Sequence, residues 1–393
     1  MRQPCKLFVE KGKGIEVSFD FMMPNRILFG RGSFEKLREL LPQFGKRYMV
    51  LMSGSAMRNA ALMQQLEAAV QAAGIETVLF HVAPGEPSPA AVNAAAEFCR
   101  LRGCDACLAV GGGSTLDTAK AAAALAVNGG SVEEYLEGVG TGRQLARRPL
   151  PWIAVPTTAG TGAETTKNAV ISDHKAGYKK SFRSNMLFAS AVIVDPMLTL
   201  SVPPAVTAAT GMDAVTQLIE SLTSKKSNEM AKALCLYALR FAAALPKAYA
   251  NGSDIDAREK MCLCALYSGM ALSCSGLGAA HGIAAGLGAL FPVAHGTACA
   301  LLLPHVMRYN LSVCGEEYAY AAECFGRERK AEEAIKAVEE LNAAMKIPSR
   351  LSQLGVAREA LGVLAHASMG SSMSGNPIAM NEEQCLMFLE QIF

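Results

Sequence analysis

The sequence predicts an α/β domain, a parallel sheet with helices on both faces, followed by an all-helical domain. Three observations predict it. Strand and helix signals alternate through the first half, the connections between them are short and rich in Gly and Pro, and beyond about residue 200 only helical periodicity remains. A chain of 393 residues exceeds one ordinary core, so two domains, 1–200 and 201–393, are expected.

The elements follow in order. FMMPNRILFGRGSFEKLREL carries a first strand and helix. KRYMVLMS is an apolar strand, followed by the helical AALMQQLEAAVQAAG. TVLFHVA, the helical PAAVNAAAEFCRLRG, the strand DACLAVGG and the helical LDTAKAAAALAV repeat the alternation, and PWIAVPTT and SAVIVDP are further buried-type strands. After DPMLTLSVPP the segments AVTAATGMDAVTQLIESLT, EMAKALCLYALRFAAALPKAYA, DAREKMCLCALYSGMALSC and KAEEAIKAVEELNAAMK all have helical spacing.

Composition excludes several function classes. The chain is 51% hydrophobic and 18% charged, with a formal charge of +2 and no basic run, so it has no electrostatic footprint for nucleic acid or an acidic membrane face. Apolar runs break before membrane-span length, and the N-terminus lacks the apolar core of a signal peptide. A cytoplasmic location is the expectation. The 12 cysteines are scattered through apolar runs, as expected for a reducing compartment. Cys104 and Cys107 form a C-x-x-C, but it leads into a buried strand and has no second ligand pair beside it.

Two loops carry ligand-binding chemistry. The strand DACLAV runs into Gly111-Gly112-Gly113-Ser114 and then a helix. Glycines let the backbone approach a ligand closely, and the helix start presents free N–H groups and a positive dipole end. Ser114 and Asp117 also fit a capping box, and a tight turn without ligand is the competing reading. After the strand WIAV, Thr157-Thr158-Ala159-Gly160-Thr161-Gly162 makes a donor-rich rim at the carboxyl edge of the sheet, where open α/β sheets bind ligands. Two such loops favour a nucleotide.

The helical half holds polar islands. Asp213 and Gln217 are four apart, with Thr216 and Glu220 on the same stripe; a solvated face and the lining of an interdomain cleft look alike in sequence. GLGAAHGIAAGLGALFPVAHG places His281 and His295 in an almost wholly apolar stretch. On one straight helix they would lie about 21 Å apart along the axis. Gly286, Gly288 and Pro292 intervene, and a proline inside a helix costs ~3 kcal/mol, so the segment bends or breaks and the rings can meet. One carboxylate and two imidazoles suit a divalent metal, against the alternative of satisfied core histidines. His81, His174, His305 and His366 read as surface or structural.

These residues resemble the iron-containing (group III) alcohol dehydrogenases. GGGSTLDTAK (111–120) matches that family's GGGSxxDxxK, PTTAGTGAE (156–164) its threonine loop, and DPMLTLSVPP, TGMDAVTQLIE and GLGAAHGIAAGLGALFPVAHGTACALLLPHV its later signatures. The similarity runs in order from PNRILFGRGS to about residue 310. The resemblance implies a dinucleotide-binding α/β domain followed by an all-helical metal and substrate domain. It implies that Gly112, Gly113, Ser114 and Asp117 hold the pyrophosphate side of NAD or NADP. Thr157, Thr158 and Thr161 would line the nicotinamide side, with Lys179 a further contact. The family's ligands, an aspartate, a histidine four residues later and two more histidines, fall on Asp213, Gln217, His281 and His295. The metal it implies is iron or zinc.

The chain departs from the family pattern at two positions. Gln217 offers a neutral amide where the family has imidazole, which weakens the site. A further family histidine, implicated in proton transfer, falls on Ala285. Near the end of MVLMS, Gly54-Ser55 stand where NAD-restricted members often place an aspartate, so a 2′-phosphate meets no repulsion and NADP is admitted. The implied activity is reversible NAD(P)-dependent reduction of a small aldehyde or oxidation of the alcohol, with a metal on Asp213, His281 and His295 as Lewis acid. Because Ala, Gly, Leu and Phe291 dominate the pocket wall and that segment has no Arg or Lys, a small uncharged substrate is expected, and the protein is expected to be a homo-oligomer. Alternatives are a metal-independent reductase of the same fold, a lyase resembling dehydroquinate synthase, which would need more Lys and Arg in the helical motifs, and a non-catalytic nucleotide sensor.

Overall fold

Six parallel strands in the order β1-β8-β5-β4-β2-β3 form the central sheet of the computed structural model, which describes residues 18–393. The reading of the N-terminus as lacking a signal-peptide core falls largely outside the described residues. In chain order the first half runs β1 (Ile27–Phe29), α1 (Leu37–Phe44), β2 (Arg47–Ser53), α2 (Gly54–Met57), α3 (Ala60–Ala73), β3 (Glu76–Val82), α4 (Pro89–Leu101), β4 (Ala106–Gly111) and α5 (Gly113–Asn128). It continues with β5 (Trp152–Pro156), β6 (Asn168–Asp173), β7 (Tyr178–Arg183) and β8 (Ala191–Val194). Strands β4 (ACLAVG) and β5 (WIAVP) sit mid-sheet and are buried along their whole length, which is why they read as continuous apolar runs. β3, at the edge, is largely exposed.

From β2 the chain moves outward to β3, and from β4 it moves the other way to β5. The strand order therefore reverses between β2 and β4, and the loops after β2, β4 and β5 open side by side at the carboxyl ends of the strands. α5 starts there and runs back across the sheet. Its alanines (AKAAAALA) are buried on all sides, and their small side chains let it pack closely against both α4 and the sheet.

Strands β6 and β7 form a separate antiparallel pair that the sequence reading did not contain. Its signal lies in the alternation of NAVISD and YKKSFR around a turn in which the Asp173 carboxylate accepts from the N–H groups of Lys175 and Ala176, with Gly177 at φ +71° closing it. The capping box expected for Ser114 and Asp117 is absent. α5 begins at Gly113 with Gly112 as its N-cap, so Ser114 falls inside the first turn, and Asp117 turns toward β6.

The second half contains only helices among the described residues: α6 (Pro204–Thr223), α7 (Glu229–Leu239), α8 (Leu245–Ala250), α9 (Ile255–Ser275), α10 (Ala279–Leu290), α11 (His295–Cys324), α12 (Ala331–Ala344), α13 (Leu361–Ala367) and α14 (Glu382–Gln391). α6 lies between α9 and α11 and is buried on nearly every face. Among the described residues no single helix is long and apolar enough to cross a membrane; α9 and α10 together are long enough but are bent by 101°.

Candidate active site

The polar stripe of α6 points inward. Asp213 is 2% exposed and Gln217 4%, and Thr216 and Glu220 are buried with them, so the solvated-face reading does not hold: neighbouring helices and the threonine loop cover this stripe of α6. Each polar group is satisfied locally, as burial requires. Thr216 Oγ1 donates to the Met212 carbonyl at 2.8 Å, and Gln217 Nε2 donates to Asp213 Oδ2 at 3.1 Å.

The two histidines do converge. α10 stops at Leu290, Phe291 is extended, Pro292 follows, and His295 opens α11. The break brings the imidazole rings to a centroid separation of 5.5 Å. Proline makes the break; the expected contribution of Gly286 and Gly288 is not observed, because both lie inside α10. Gly286 is small for a different reason: a Cβ there would sit 3.0 Å from Ser368 Oγ.

Glu220, which the sequence reading placed on the stripe without a role, organises His281. Its carboxylate accepts from the N–H groups of Gly278 (3.0 Å) and Ala280 (2.6 Å), capping the positive end of α10. It also accepts from His281 Nδ1 at 2.6 Å. That bond fixes the tautomer and turns Nε2 toward Asp213 Oδ1, 3.3 Å away. His295 Nε2 lies 3.8 Å from the same oxygen, and Cys299 Sγ lies 3.7 Å from that nitrogen. One donor atom from each of Asp213, His281, His295 and Cys299 falls within 4.8 Å of every other.

Donors held about 2.0–2.3 Å from a tetrahedral ion stand roughly 3.3–3.7 Å from one another. The separations of 3.3, 3.7 and 3.8 Å lie in or close to that range, and an imidazole lone pair aimed at a carboxylate oxygen repels it unless a cation or proton lies between. The residues therefore fit a divalent metal. The charges around the cluster act on its members in different directions. Burial alone would raise the pKa of Asp213, but the hydrogen bond from His281 and the proximity of His295 take it below the usual carboxylate value. Burial alone would lower that of His281, yet Cys299, Asp213 and Glu220 hold it well above the ordinary histidine value. His295 goes the other way, lowered by burial and by the nearby Lys179 ammonium.

Lys179 projects from β7 and pairs with Glu86, which also accepts from Ser172. Its Nζ lies 3.6 Å from where a Cβ on Gly288 would stand. The pocket wall thus does carry a cation, contrary to the expectation from the helical segment alone, because the hairpin supplies it; Glu86 neutralises it. Ala285 stands one turn beyond His281 on α10 and carries no titratable group.

On the sheet side, Gly111 pairs with Pro156 in register, so the glycine and threonine loops leave adjacent strands together. A Cβ on Gly112 would lie 3.3 Å from Thr158 Oγ1, and one on Gly113 would lie 2.8 Å from the Thr161 side chain. The two loops therefore form a cradle in which only glycine leaves room beside the helix start. Gly112, Gly113, Ser114, Thr158 and Thr161 are partly open, and Thr157 is nearly covered. Gly162, at φ +61°, brings the threonine loop within 2.4 Å, Cβ position to Cα, of Gly269 on α9. Gln217 Nε2 reaches the Thr161 carbonyl at 3.4 Å. Cradle and donor cluster are thus adjacent.

Asp117 is not a rim residue. Oδ2 accepts from the Val170 N–H at 2.9 Å and Oδ1 from Lys120 Nζ at 3.1 Å, so both oxygens are committed beneath the cradle. Lys120 is fully buried and also donates to the carbonyls of Ala163 and Asn168 and to Thr166. Gly54, after β2, has Arg58 Nη1 and His81 Nε2 within 3.3 Å of its Cβ position. The thiols of Cys104 and Cys107 meet that of Cys99, and all described cysteines are free. His81, His174 and His366 are exposed, and His305 is half-buried against the Ser349 carbonyl.

A parallel α/β sheet whose ligand loops face a buried donor cluster on a helical half is the plan of a two-part, nucleotide- and metal-using enzyme. Residues 24–196 match the iron-containing alcohol dehydrogenase family and residues 207–393 match its C-terminal part. The chain belongs to the iron-containing alcohol dehydrogenase family. It is 33% identical over 354 residues to the NAD-dependent methanol dehydrogenase of Bacillus methanolicus, covering 88% of this chain and 92% of the relative. Among solved structures, 1,3-propanediol oxidoreductase superposes with a TM-score of 0.90 at 32% identity, covering 96% of this chain and all of the other. The sulfoacetaldehyde reductase of Bifidobacterium kashiwanohense, solved with NAD+, superposes with a TM-score of 0.87 at 28% identity, covering 96% and 99%.

Proposed function

We propose that this chain transfers hydride reversibly between NAD(P)H and a small uncharged aldehyde. Residues 1–200 hold the dinucleotide, and residues 201–393 hold a divalent ion on Asp213, His281 and His295. The observation that carries this reading is the adjacency of the glycine–threonine cradle to the buried donor cluster, with Gln217, one turn after Asp213, donating to the Thr161 carbonyl of the cradle. When bound, the ion supplies a Lewis acid for the carbonyl oxygen and the nicotinamide supplies the hydride. The protein's own groups orient and exclude water. Gly112, Gly113 and Ser114 at the start of α5 would hold the pyrophosphate through their backbone N–H groups, and Thr157, Thr158 and Thr161 would line the nicotinamide side. Glu220 keeps His281 Nε2 directed at the cluster. Burial and the Lys179 ammonium disfavour protonation of His295, which would leave that ring free to bind the ion. Ala285 has no proton to give, so water, a cofactor ribose hydroxyl or another residue would have to relay the substrate proton.

NADP is accepted alongside NAD in this reading. No carboxylate follows β2, and Arg58 beside Gly54 would supply a cation for a 2′-phosphate. The methanol and 1,3-propanediol relatives favour short primary alcohols as the substrate class. Anaerobic protein supplied with iron or zinc should oxidise NADH or NADPH when given short aldehydes. Absence of turnover for every aldehyde with every metal would rule the proposal out.

A further inference from the structure

In the family pattern the second donor on α6 is a histidine four residues after the aspartate, and here that position is Gln217. Gln217 does not offer its oxygen to the cluster. Oε1 accepts from Ser268 Oγ at 2.6 Å, while Nε2 donates to Asp213 Oδ2 at 3.1 Å and to the Thr161 carbonyl at 3.4 Å. Exchanging the amide oxygen and nitrogen would set an oxygen against two acceptors, so the neighbours dictate this orientation.

The donor missing from α6 reappears on α11. Cys299 lies four residues after His295 and so shares its helix face, repeating on a second helix the spacing that the family uses after the aspartate. Its side chain is fully buried, and its sulfur completes the group with Asp213, His281 and His295. At 3.7 Å, the Sγ–Nε2 distance to His295 suits two donors on one ion, one about 2.3 Å and the other about 2.0 Å from it.

We infer that Cys299 supplies the fourth metal donor as a thiolate and that Gln217 is a positioning residue that holds Asp213. This rests on the metal reading proposed above. Binding converts Cys–SH and a divalent ion into a sulfur–metal bond and a released proton. A sulfur donor moves the preference of the site from iron toward zinc or cobalt.

Apo protein titrated with cobalt(II) and followed by absorption tests the assignment. Tetrahedral cobalt gives weak visible bands with any donors, and a thiolate adds an intense near-ultraviolet sulfur-to-cobalt band. Wild type and Gln217→Ala should both show that band, the variant binding about 10–100-fold more weakly through loss of its hold on Asp213. Cys299→Ser should lose the band and keep the visible ones. Visible bands without the near-ultraviolet band in wild type, or a band that survives in Cys299→Ser, would overturn the inference while leaving the metal reading intact. Folded wild type that binds no cobalt would overturn both. Should Cys299→Ser not fold, X-ray absorption of zinc-loaded wild type decides: one sulfur at about 2.3 Å supports the assignment and none refutes it.

Discussion

Glu220 shows how much of this site depends on a residue one layer back. A single carboxylate accepts from the start of α10 and from His281 Nδ1, so it positions the helix, together with Asn376, and the imidazole. Glu220→Gln should lower zinc affinity about 10–100-fold, read as retained metal after dialysis against a graded chelator. Full retention would show that Glu220 does not orient the ligand. Arg58 gives a second residue-scale prediction. Arg58→Ala should raise KM for NADPH and leave that for NADH nearly unchanged; equal changes would place the guanidinium away from the 2′-phosphate. Sequence reasoning reached His281 and His295 because imidazoles stand out in an apolar run. It missed Cys299, one of many cysteines in apolar surroundings, although the four-residue spacing from His295 was a usable signal.

At the scale of elements, the threonine loop is held by buried charges rather than by regular structure. Lys120 ties α5 to Ala163, Thr166 and Asn168, and it donates to the carboxylate of Asp117. Lys120→Met leaves Asp117 buried without its cation and should cost on the order of 3–5 kcal/mol in urea unfolding. Glu164, on the same loop, is 3% exposed, and burial pushes its pKa up to about 7. The folded chain therefore keeps a proton that the unfolded chain releases near pH 4.5. Stability should fall as pH rises from there to about 7, by on the order of 3 kcal/mol, and level off above. Glu164→Gln should flatten that slope in unfolding curves at pH 5 and pH 8; an unchanged slope would assign it to other groups. The main strands and helices were legible because their burial sets a period. The β6–β7 pair was not, since it packs beside the sheet and its short alternating runs straddle a polar turn. The α6 stripe was ambiguous for a related reason: a polar face turned toward a cleft has the same period as one turned toward water.

Across the whole molecule, the two halves each make an incomplete site. The sheet contributes a cradle at the reversal of strand order, and the helical half contributes a carboxylate, two imidazoles and a thiol. Gly162 and Gly269 let the threonine loop and α9 touch, which joins the halves at the cleft. The position of the change to all-helical structure was readable because β8 ends at Val194 and α6 begins at Pro204, with DPMLTLSVPP between them. Which side chains meet across the cleft was not readable, because it depends on the angle at Pro292 and on the hairpin that delivers Lys179. The most direct test of the account is metal titration of chelator-treated, anaerobic protein, followed by the rate of NAD(P)H oxidation with a short aldehyde. The rate should rise from near zero to a plateau at one ion per chain in wild type and stay near zero in His281→Ala. Turnover without added metal, or full activity in His281→Ala, would contradict it.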